Sequence, residues 1–217
     1  MVGRDRGFTI VELMISVVIL VIIAAFAIPS ALSALQSYRL HADTASVSGF
    51  FNISRMKATS QYAPYRVDVD TGAGTFQIEQ LCGVTSAATD AACTGSAYIP
   101  HTTAAVDTAV GTQYLQLGNT FLSCRPAGIP AASVASPSPG SITADPAGCP
   151  ATPPNPLYFY FNTRGLPVDT SGNMLTNGGA VLYLQNQSQL LDAITISIGG
   201  RVTTWNWSSG SNTWSAR

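Results

Sequence analysis

An apolar run near the N-terminus limits what this 217-residue chain can fold into. Residues 8–28 read FTIVELMISVVILVIIAAFAI and contain one charged side chain, that of Glu12. As an α-helix this run would measure about 30 Å, which is the thickness of the hydrocarbon core of a bilayer. Arg4 and Arg6 precede it, so the positive-inside rule predicts that the N-terminal piece stays in the cytoplasm and that the rest of the chain lies outside.

Three interpretations of this run are open. It can be a cleaved secretory signal, with Ala25, Phe26 and Ala27 as a small-x-small cleavage site, or an uncleaved membrane anchor. Both leave Glu12 unexplained, because a carboxylate within a bilayer is unfavourable. The third interpretation gives Glu12 a role, and it depends on the residues at the start of the run.

The residues at the start of the run carry a family resemblance. Residues 7–12, GFTIVE, resemble the type III signal of type IV prepilins and pseudopilins, in which a short basic leader ends in Gly before Phe and, four residues later, Glu. The resemblance implies that prepilin peptidase removes residues 1–7 by cutting between Gly7 and Phe8, and methylates the new amino group of Phe8. It also implies that Glu12 neutralises the N-terminal ammonium of a neighbouring subunit, and that Pro29 is the helix-loosening proline common in this family.

The helical pattern continues beyond Pro29. Apolar or small residues recur every three or four positions, at Leu35, Tyr38, Ala42, Ala45, Gly49, Ile53 and Met56. The spacing predicts one long helix over about residues 8–59, with 8–28 in a membrane or filament core and 29–60 as an amphipathic part packed on a globular head. The alternative is a separate anchor and a first domain helix, with a bend of the chain at Pro29.

Beyond Pro64 the periodicity changes to two, so residues 61–217 are predicted to form a β-rich head. Residues 65–70 and 75–79 alternate around the turn sequence TGAG, which predicts a β-hairpin. Further strands are predicted at 113–117, 157–161, 180–184, 193–198 and 201–207, with Gly199 and Gly200 in a tight turn. The predicted fold class is α+β, a long N-terminal helix followed by a mostly antiparallel sheet.

Residues 124–156 are predicted to be a surface loop, since they hold nine of the 13 prolines and almost no large apolar residue. The chain has four cysteines, all in the head: Cys82, Cys93, Cys124 and Cys149. An even number in an exported domain favours disulfides, and three connectivities are open. A zinc site is the competing interpretation, although no CxxC pair is present.

Composition argues against several function classes. Charged residues make up 10% of the chain and the net charge is −1, so no overall basic field is available to hold nucleic acid. The sequence contains no GxSxG, GxxxxGK[ST] or GxGxxG motif, and a Ser-His-Asp triad built on His101 has no nucleophile context. Asp68, Asp70 and Glu79 have a partial calcium-loop spacing, which the hairpin also explains. We expect no catalysis, no cofactor and no metal.

Three patches of the head resemble the GspH/FimT family of minor pilins and pseudopilins: residues 55–58 (RMKA), 159–165 (FYFNTRG) and 194–207, which contain an I-x-I-x-x-x-G-R-V pattern. The resemblance implies a low-abundance subunit of a type II secretion pseudopilus or a type IV pilus, supporting protein secretion or pilus biogenesis. It implies a single-pass protein of the bacterial inner membrane with its head in the periplasm. The implied partners are prepilin peptidase, other pilins or pseudopilins, and the assembly platform.

Two alternatives to this function remain open. DNA-uptake members of the family bind DNA through a basic Gly-Arg-x-Arg turn, and here Gly200 and Arg201 are followed by Val and Thr, so the second Arg is missing. Trp205 and Trp207 lie two apart and can form a stacking platform, although such a pair is more often sheet core or rim. Nucleic acid is not expected as a partner. The other alternative is a secreted, disulfide-bonded domain with an ordinary signal peptide.

Overall fold

The computed structural model describes residues 9–81, 104–106, 111–122, 125–126, 129–130, 155–169, 172–175 and 179–216. Within these ranges the chain forms one α-helix followed by eleven β-strands. The predicted α+β class, with a long N-terminal helix and an antiparallel head, is confirmed. The division of the strands into two sheets is not predicted by the sequence patterns.

Helix α1 spans Ile10–Gln61 and contains Pro29 without interruption, so the prediction of one long helix is confirmed. At 1.5 Å per residue it measures about 78 Å. It ends at Tyr62, whose backbone is left-handed (φ 50°, ψ 32°). Pro64 follows two residues later, and a proline disfavours helical conformation in the residue before it.

The first sheet holds the predicted hairpin. Its strands are β1 (Tyr65–Asp70), β2 (Thr75–Leu81), β3 (Ala104–Val106), β4 (Gln113–Tyr114), β6 (Leu157–Phe161) and β7 (Pro167–Val168). The order is β3-β2-β1-β6-β7, with β4 also paired to β2, and every pairing is antiparallel. In the β1–β2 turn Gly74 has φ +66°, a conformation that favours glycine.

The second sheet is built from β5 (Asn119–Leu122), β8 (Ala180–Asn186), β9 (Leu191–Ile196), β10 (Val202–Ser208) and β11 (Thr213–Ala216). Its order is β11-β10-β9-β8-β5, again antiparallel throughout. The predicted turn between β9 and β10 is confirmed: Gly200 has φ +79° and its N–H donates to Ser197 O at 2.8 Å.

Some strand predictions differ from the structure. Residues 113–117 contain only the two-residue strand β4, while β3, β5, β7 and β11 are not predicted at all. These four strands have two to four residues each, too few to show a period of two. Strand β11 buries one side chain, Trp214, so its place depends on pairing with β10.

The main core lies between the second half of α1 and one face of each sheet. Helix residues Leu40, Val47 and Phe51 are fully buried there. They pack with apolar side chains of both sheets: Val67, Val69, Phe76, Ile78, Phe161, Leu182, Leu184, Ile194 and Ile196. A smaller cluster on the opposite face of the second sheet contains Val181, Tyr183, Leu191, Ala193, Trp205 and Trp214. The second sheet is therefore apolar on both faces.

Candidate functional site

The first turn of α1 has a defined cap. Thr9 is the N-cap residue, with extended backbone (φ −82°, ψ 148°), and its Oγ1 accepts a hydrogen bond from Glu12 N at 3.3 Å. Thr followed three residues later by Glu is the spacing of a capping box, and an acidic residue in the first turn is favoured by the helix dipole. Glu12 therefore has a local role in starting the helix, which sequence reasoning missed although the T-x-x-E spacing signals it. Gly7 and Phe8 lie outside the described residues.

The first half of α1 has no partner among the described residues. Every residue from Thr9 to Leu35 is exposed, including Ile10 at 81% and Phe26 at 78%. An 18-residue window of this half has a mean hydropathy of 2.9, so the helix is long and apolar enough to cross a membrane. A helix that is apolar on all sides needs an apolar environment around it, either lipid or other helices.

The head begins at Gln36, the first half-buried residue of the helix. Gln36 Oε1 accepts a hydrogen bond from Ser188 Oγ in the β8–β9 loop. About two turns further on, the buried carboxylate of Asp43 accepts from Gln116 N at 2.8 Å and from Asn119 Nδ2 at 2.7 Å. The β8–β9 loop and the β4–β5 loop, which contains Gln116, are thus both fixed to α1 at this end of the head.

His41 connects α1 to the second sheet. Its Nδ1 lies 2.7 Å from Asp192 Oδ2 on β9, and its Nε2 lies 3.1 Å from Ser37 Oγ. Asp192 is 2% exposed and also accepts from Thr44 Oγ1 at 3.0 Å and from Asn206 Nδ2 at 2.9 Å. Each oxygen of this buried carboxylate therefore has at least one hydrogen-bond partner.

The distances from Ser37 through His41 to Asp192 match those of a Ser-His-Asp triad. Acyl transfer also needs N–H donors aimed at the developing oxyanion. The backbone N–H groups around Ser37 lie inside α1, where they donate to helix carbonyls. We therefore interpret this arrangement as a structural connection; the triad considered from sequence used His101, which lies outside the described residues.

The three head patches that carry the GspH/FimT resemblance meet at Arg55. Arg55 Nη1 donates to Gly200 O at 2.8 Å, in the β9–β10 turn. A Cβ on Gly165, in the β6–β7 turn (φ +70°), would lie 2.9 Å from Arg55 Cγ. A Cβ on Gly200 would lie 2.9 Å from Gly165 O. One helix side chain and two glycine turns, one from each sheet, therefore pack against each other.

The tryptophans considered for DNA contact lie in the second sheet. Trp205 is 7% exposed and its Nε1 donates to Thr195 Oγ1 at 2.8 Å. Trp207 is half-buried, with its ring centroid 5.2 Å from that of Trp214. The structure places the pair in the core and rim of the sheet, the alternative that the sequence spacing also allowed. Arg201 is exposed, and contact of Arg201 with DNA stays a prediction.

The outer face of the first sheet carries a buried ion pair. Arg66 Nε donates to Glu79 Oε2 at 2.5 Å, directly across the β1–β2 ladder, and the guanidinium lies 4.2 Å from the centroid of the Tyr158 ring. Burial lowers the pKa of Arg66, but the hydrogen bond and charge of Glu79, together with those of Tyr160, outweigh it and raise the pKa overall. Burial, followed by the negative charge of Glu79, raises the pKa of Asp68.

The β1–β2 turn explains the acidic spacing that resembles a calcium loop. Asp70 Oδ1 accepts from Gly72 N at 2.8 Å, Ala73 N at 2.9 Å and Asn155 Nδ2 at 3.1 Å. Hydrogen bonds from Ala73, Asn155 and Gly72 lower the pKa of Asp70. This oxygen is occupied by N–H donors, and no group of three or more His, Cys, Asp and Glu side chains within the described ranges is arranged to hold a metal.

Other predicted features cannot be placed. Cys82, Cys93, Cys124 and Cys149 all lie outside the described residues, as does most of the 124–156 loop. The disulfides and their connectivity stay predictions. Pro29 lies within α1 and is exposed, and the helix continues on both sides of it.

Comparisons with known proteins agree with the N-terminal features. The family described as "Prokaryotic N-terminal methylation motif" matches residues 3–28. Comparison with curated proteins gives no match. Two structures of the minor pseudopilin EpsH from the type II secretion system of Vibrio cholerae align at 10% identity and a TM-score of 0.42, covering 76% and 78% of this chain and 95% and 94% of theirs. At this TM-score the alignments carry no argument about function.

The methylation-motif match includes the Gly7–Phe8 junction and Glu12, the residues on which the sequence resemblance depends. The chain therefore carries a prokaryotic N-terminal methylation motif at residues 3–28.

Proposed function

We propose that this chain is a minor pilin or pseudopilin, a structural subunit that is processed by prepilin peptidase and assembles through its N-terminal helix. In this proposal the leader 1–7 is removed, Phe8 is methylated, and the head projects from the bacterial inner membrane into the periplasm. The subunit then enters a type II secretion pseudopilus or a type IV pilus and contributes surface and shape rather than catalysis.

One observation carries the proposal: a methylation motif opens directly into a helix whose first half is apolar and exposed on all sides. In a secreted domain this half would be removed with the signal peptide, and the methylation motif would then have no role. A membrane protein and a filament subunit both retain this half, because lipid and neighbouring helices can each surround it.

The position of Glu12 favours a filament subunit over a plain anchor. The carboxylate lies in the first turn, where the helix dipole and the Thr9 cap stabilise it locally. Cleavage after Gly7 would create a positive ammonium on Phe8, four residues away. In an assembled core, the ammonium of a neighbouring subunit is a partner of opposite charge for Glu12 in an environment of low dielectric.

Substitution of Glu12 tests the proposal in the parent organism. Glu12→Ala should leave cleavage and methylation unchanged but reduce the amount of subunit in sheared filaments by at least about a hundredfold, because breaking a buried ion pair costs about 3 to 5 kcal/mol. N-terminal mass spectrometry measures the processing, and quantitative peptide mass spectrometry of the filament fraction measures the assembly.

Ser16→Ala is the matched control, because Ser16 lies one turn further along the same exposed segment and carries no charge. It should be processed and assembled normally. Normal incorporation of Glu12→Ala would contradict the ion-pair account. A mature chain that begins at Ile28 instead of methylated Phe8 would contradict the whole proposal and favour a secreted domain.

A further inference from the structure

We propose that the membrane-proximal end of the head docks on the headgroup layer of the bilayer that holds α1, with Tyr38, Arg39 and Leu117 in contact with anionic phospholipid. The inference rests on the proposed membrane insertion of α1. To membrane insertion, the inference adds a surface of the head that binds lipid while the subunit is still in the membrane.

The uncharged part of α1 is as long as a bilayer is thick. From Glu12 to Arg39 no charged residue interrupts α1. These positions are separated by about 40 Å along the helix, which matches a bilayer including its headgroup regions. Leu32 and Leu35 are 55% and 50% exposed, so the apolar surface extends well past Pro29. Glu12 and Arg39 thus lie at opposite edges of one bilayer.

The head begins at the level of Arg39, the outer edge of this bilayer. Gln36, the first helix residue in contact with the head, lies less than one turn before Arg39. The loop between β4 and β5 reaches the same point: a shallow cleft is lined by Gln36, Arg39, Leu117 and Gln187. Gln187 N donates to Gly118 O at 3.1 Å, which holds the two loops together. The loops therefore sit at the height of the headgroups.

The side chains exposed at this level are apolar, aromatic and cationic. Leu117 is 89% exposed, the largest value among the exposed large apolar residues that the structure describes, and Tyr38 is 70% exposed. Arg39 is exposed and makes no ion pair with any described residue. An aromatic ring, a cation and a leucine at one level form the pattern of a membrane interface, where the cation meets lipid phosphate.

A depth-dependent quencher tests this placement in the full-length protein. The protein is reconstituted in vesicles of phosphatidylcholine with phosphatidylglycerol, containing lipids brominated either near the headgroup end or near the methyl end of the acyl chain. Leu117→Trp provides the reporter, and emission is compared with that of the parent protein. Met56→Trp, 68% exposed on the same helix and about 25 Å further from the membrane, is the control. Phe26→Trp reports insertion of α1 itself.

We expect Leu117→Trp to be quenched by the lipids brominated near the headgroup end, Phe26→Trp, near the middle of the bilayer, by those brominated near the methyl end, and Met56→Trp by neither. Quenching of Phe26→Trp without that of Leu117→Trp would overturn the docking and leave the insertion of α1 in place. Absence of quenching at Phe26→Trp would overturn both. A blue shift of Leu117→Trp without quenching would indicate that a second copy of the chain covers the site, which also overturns lipid docking.

The role of Arg39 is tested in the same system. Arg39→Gln should shift the equilibrium away from the docked state about fivefold in vesicles that contain phosphatidylglycerol, and much less in pure phosphatidylcholine. Arg164→Gln is the control, since Arg164 is an exposed cation in the β6–β7 turn, whose Gly165 packs against Arg55, about 24 Å along α1 from Arg39. An equal effect of the two substitutions, or no effect of Arg39→Gln, would overturn the recognition of anionic lipid.

Discussion

The two halves of α1 form one continuous helix but have opposite surroundings. Residues 10–35 are exposed along their whole length, and their side chains contact no other described element closely enough to be covered. Residues 36–61 bury Leu40, Val47 and Phe51 completely against both sheets. The same backbone geometry therefore serves two different environments.

The difference relates the pattern of apolar residues in each half of the helix to the surroundings of that half. In the second half the apolar residues form a face, because two sheets cover one side and water the other. In the first half the apolar residues cover every side, and no described part of the chain packs against them. This half therefore needs apolar surroundings from outside the chain. The head should thus be stable without help from the first half, while the first half should depend on partners outside the chain.

The largest expected effect compares two phenylalanines of α1. Phe51 is 0% exposed and its ring packs edge-on to Phe159 at 5.0 Å, whereas Phe26 is 78% exposed. Phe51→Ala should lower the free energy of unfolding of the head by about 3 to 5 kcal/mol, and Phe26→Ala should change it by less than about 0.5 kcal/mol. Urea unfolding of the full chain in detergent, followed by tryptophan fluorescence, measures both. Equal losses would break the comparison.

A second pair concerns two glycines near the second half of the helix. Gly165→Ala would place a Cβ 2.9 Å from both Arg55 Cγ and Thr59 Cγ2 at a φ of +70°, and should cost about 2 to 3 kcal/mol. Gly49 lies in α1, where an added Cβ would meet no atom within 4 Å, so Gly49→Ala should instead stabilise by about 0.5 to 1 kcal/mol. The same unfolding assay distinguishes the signs. A stable Gly165→Ala variant would show that the turn can move away from the helix.

Features that depend on neighbouring residues were predictable from the sequence. The helix is encoded by a period of three to four, the β1–β2 hairpin by alternation around TGAG, and the β9–β10 turn by Gly199 and Gly200. The methylation motif is contiguous, and its match at residues 3–28 agrees with the resemblance seen in GFTIVE. In each case a few adjacent residues contain the whole signal.

Contacts between distant residues were not predictable. His41 meets Asp192 across 151 positions and Arg55 meets Gly200 across 145, and no local pattern marks either pair. The resemblance pointed to the patches around Arg55, Gly165 and Gly200, but not to their meeting at one point. The short strands β3 and β7 exist through pairing with longer neighbours, so their own residues carry little signal.

The smallest expected effect concerns Asp68, whose ionisation should make the stability of the head depend on pH. Burial and the nearby Glu79 raise the pKa of Asp68, so its ionised form is disfavoured in the folded state. The stability that Asp68 contributes is complete below its unfolded pKa, about 4, and is lost as the pH rises through the higher folded pKa. Asp68→Asn should thus be more stable than the parent at pH 7, by less than about 1 kcal/mol, and equal to it near pH 3.

Asp70, two residues away, should show the opposite sign. Its pKa is lowered by hydrogen bonds from Ala73, Asn155 and Gly72, so its contribution is present above the unfolded pKa and is lost as the pH falls through the folded pKa. Asp70→Asn should therefore be less stable than the parent at pH 7, with the difference vanishing in acid. Glu12→Gln, in the exposed half of the helix, should leave the unfolding of the head unchanged at every pH. Thermal unfolding of the full chain in detergent across this pH range measures all three, and a pH slope that follows Glu12 would show that the two halves of α1 are energetically coupled.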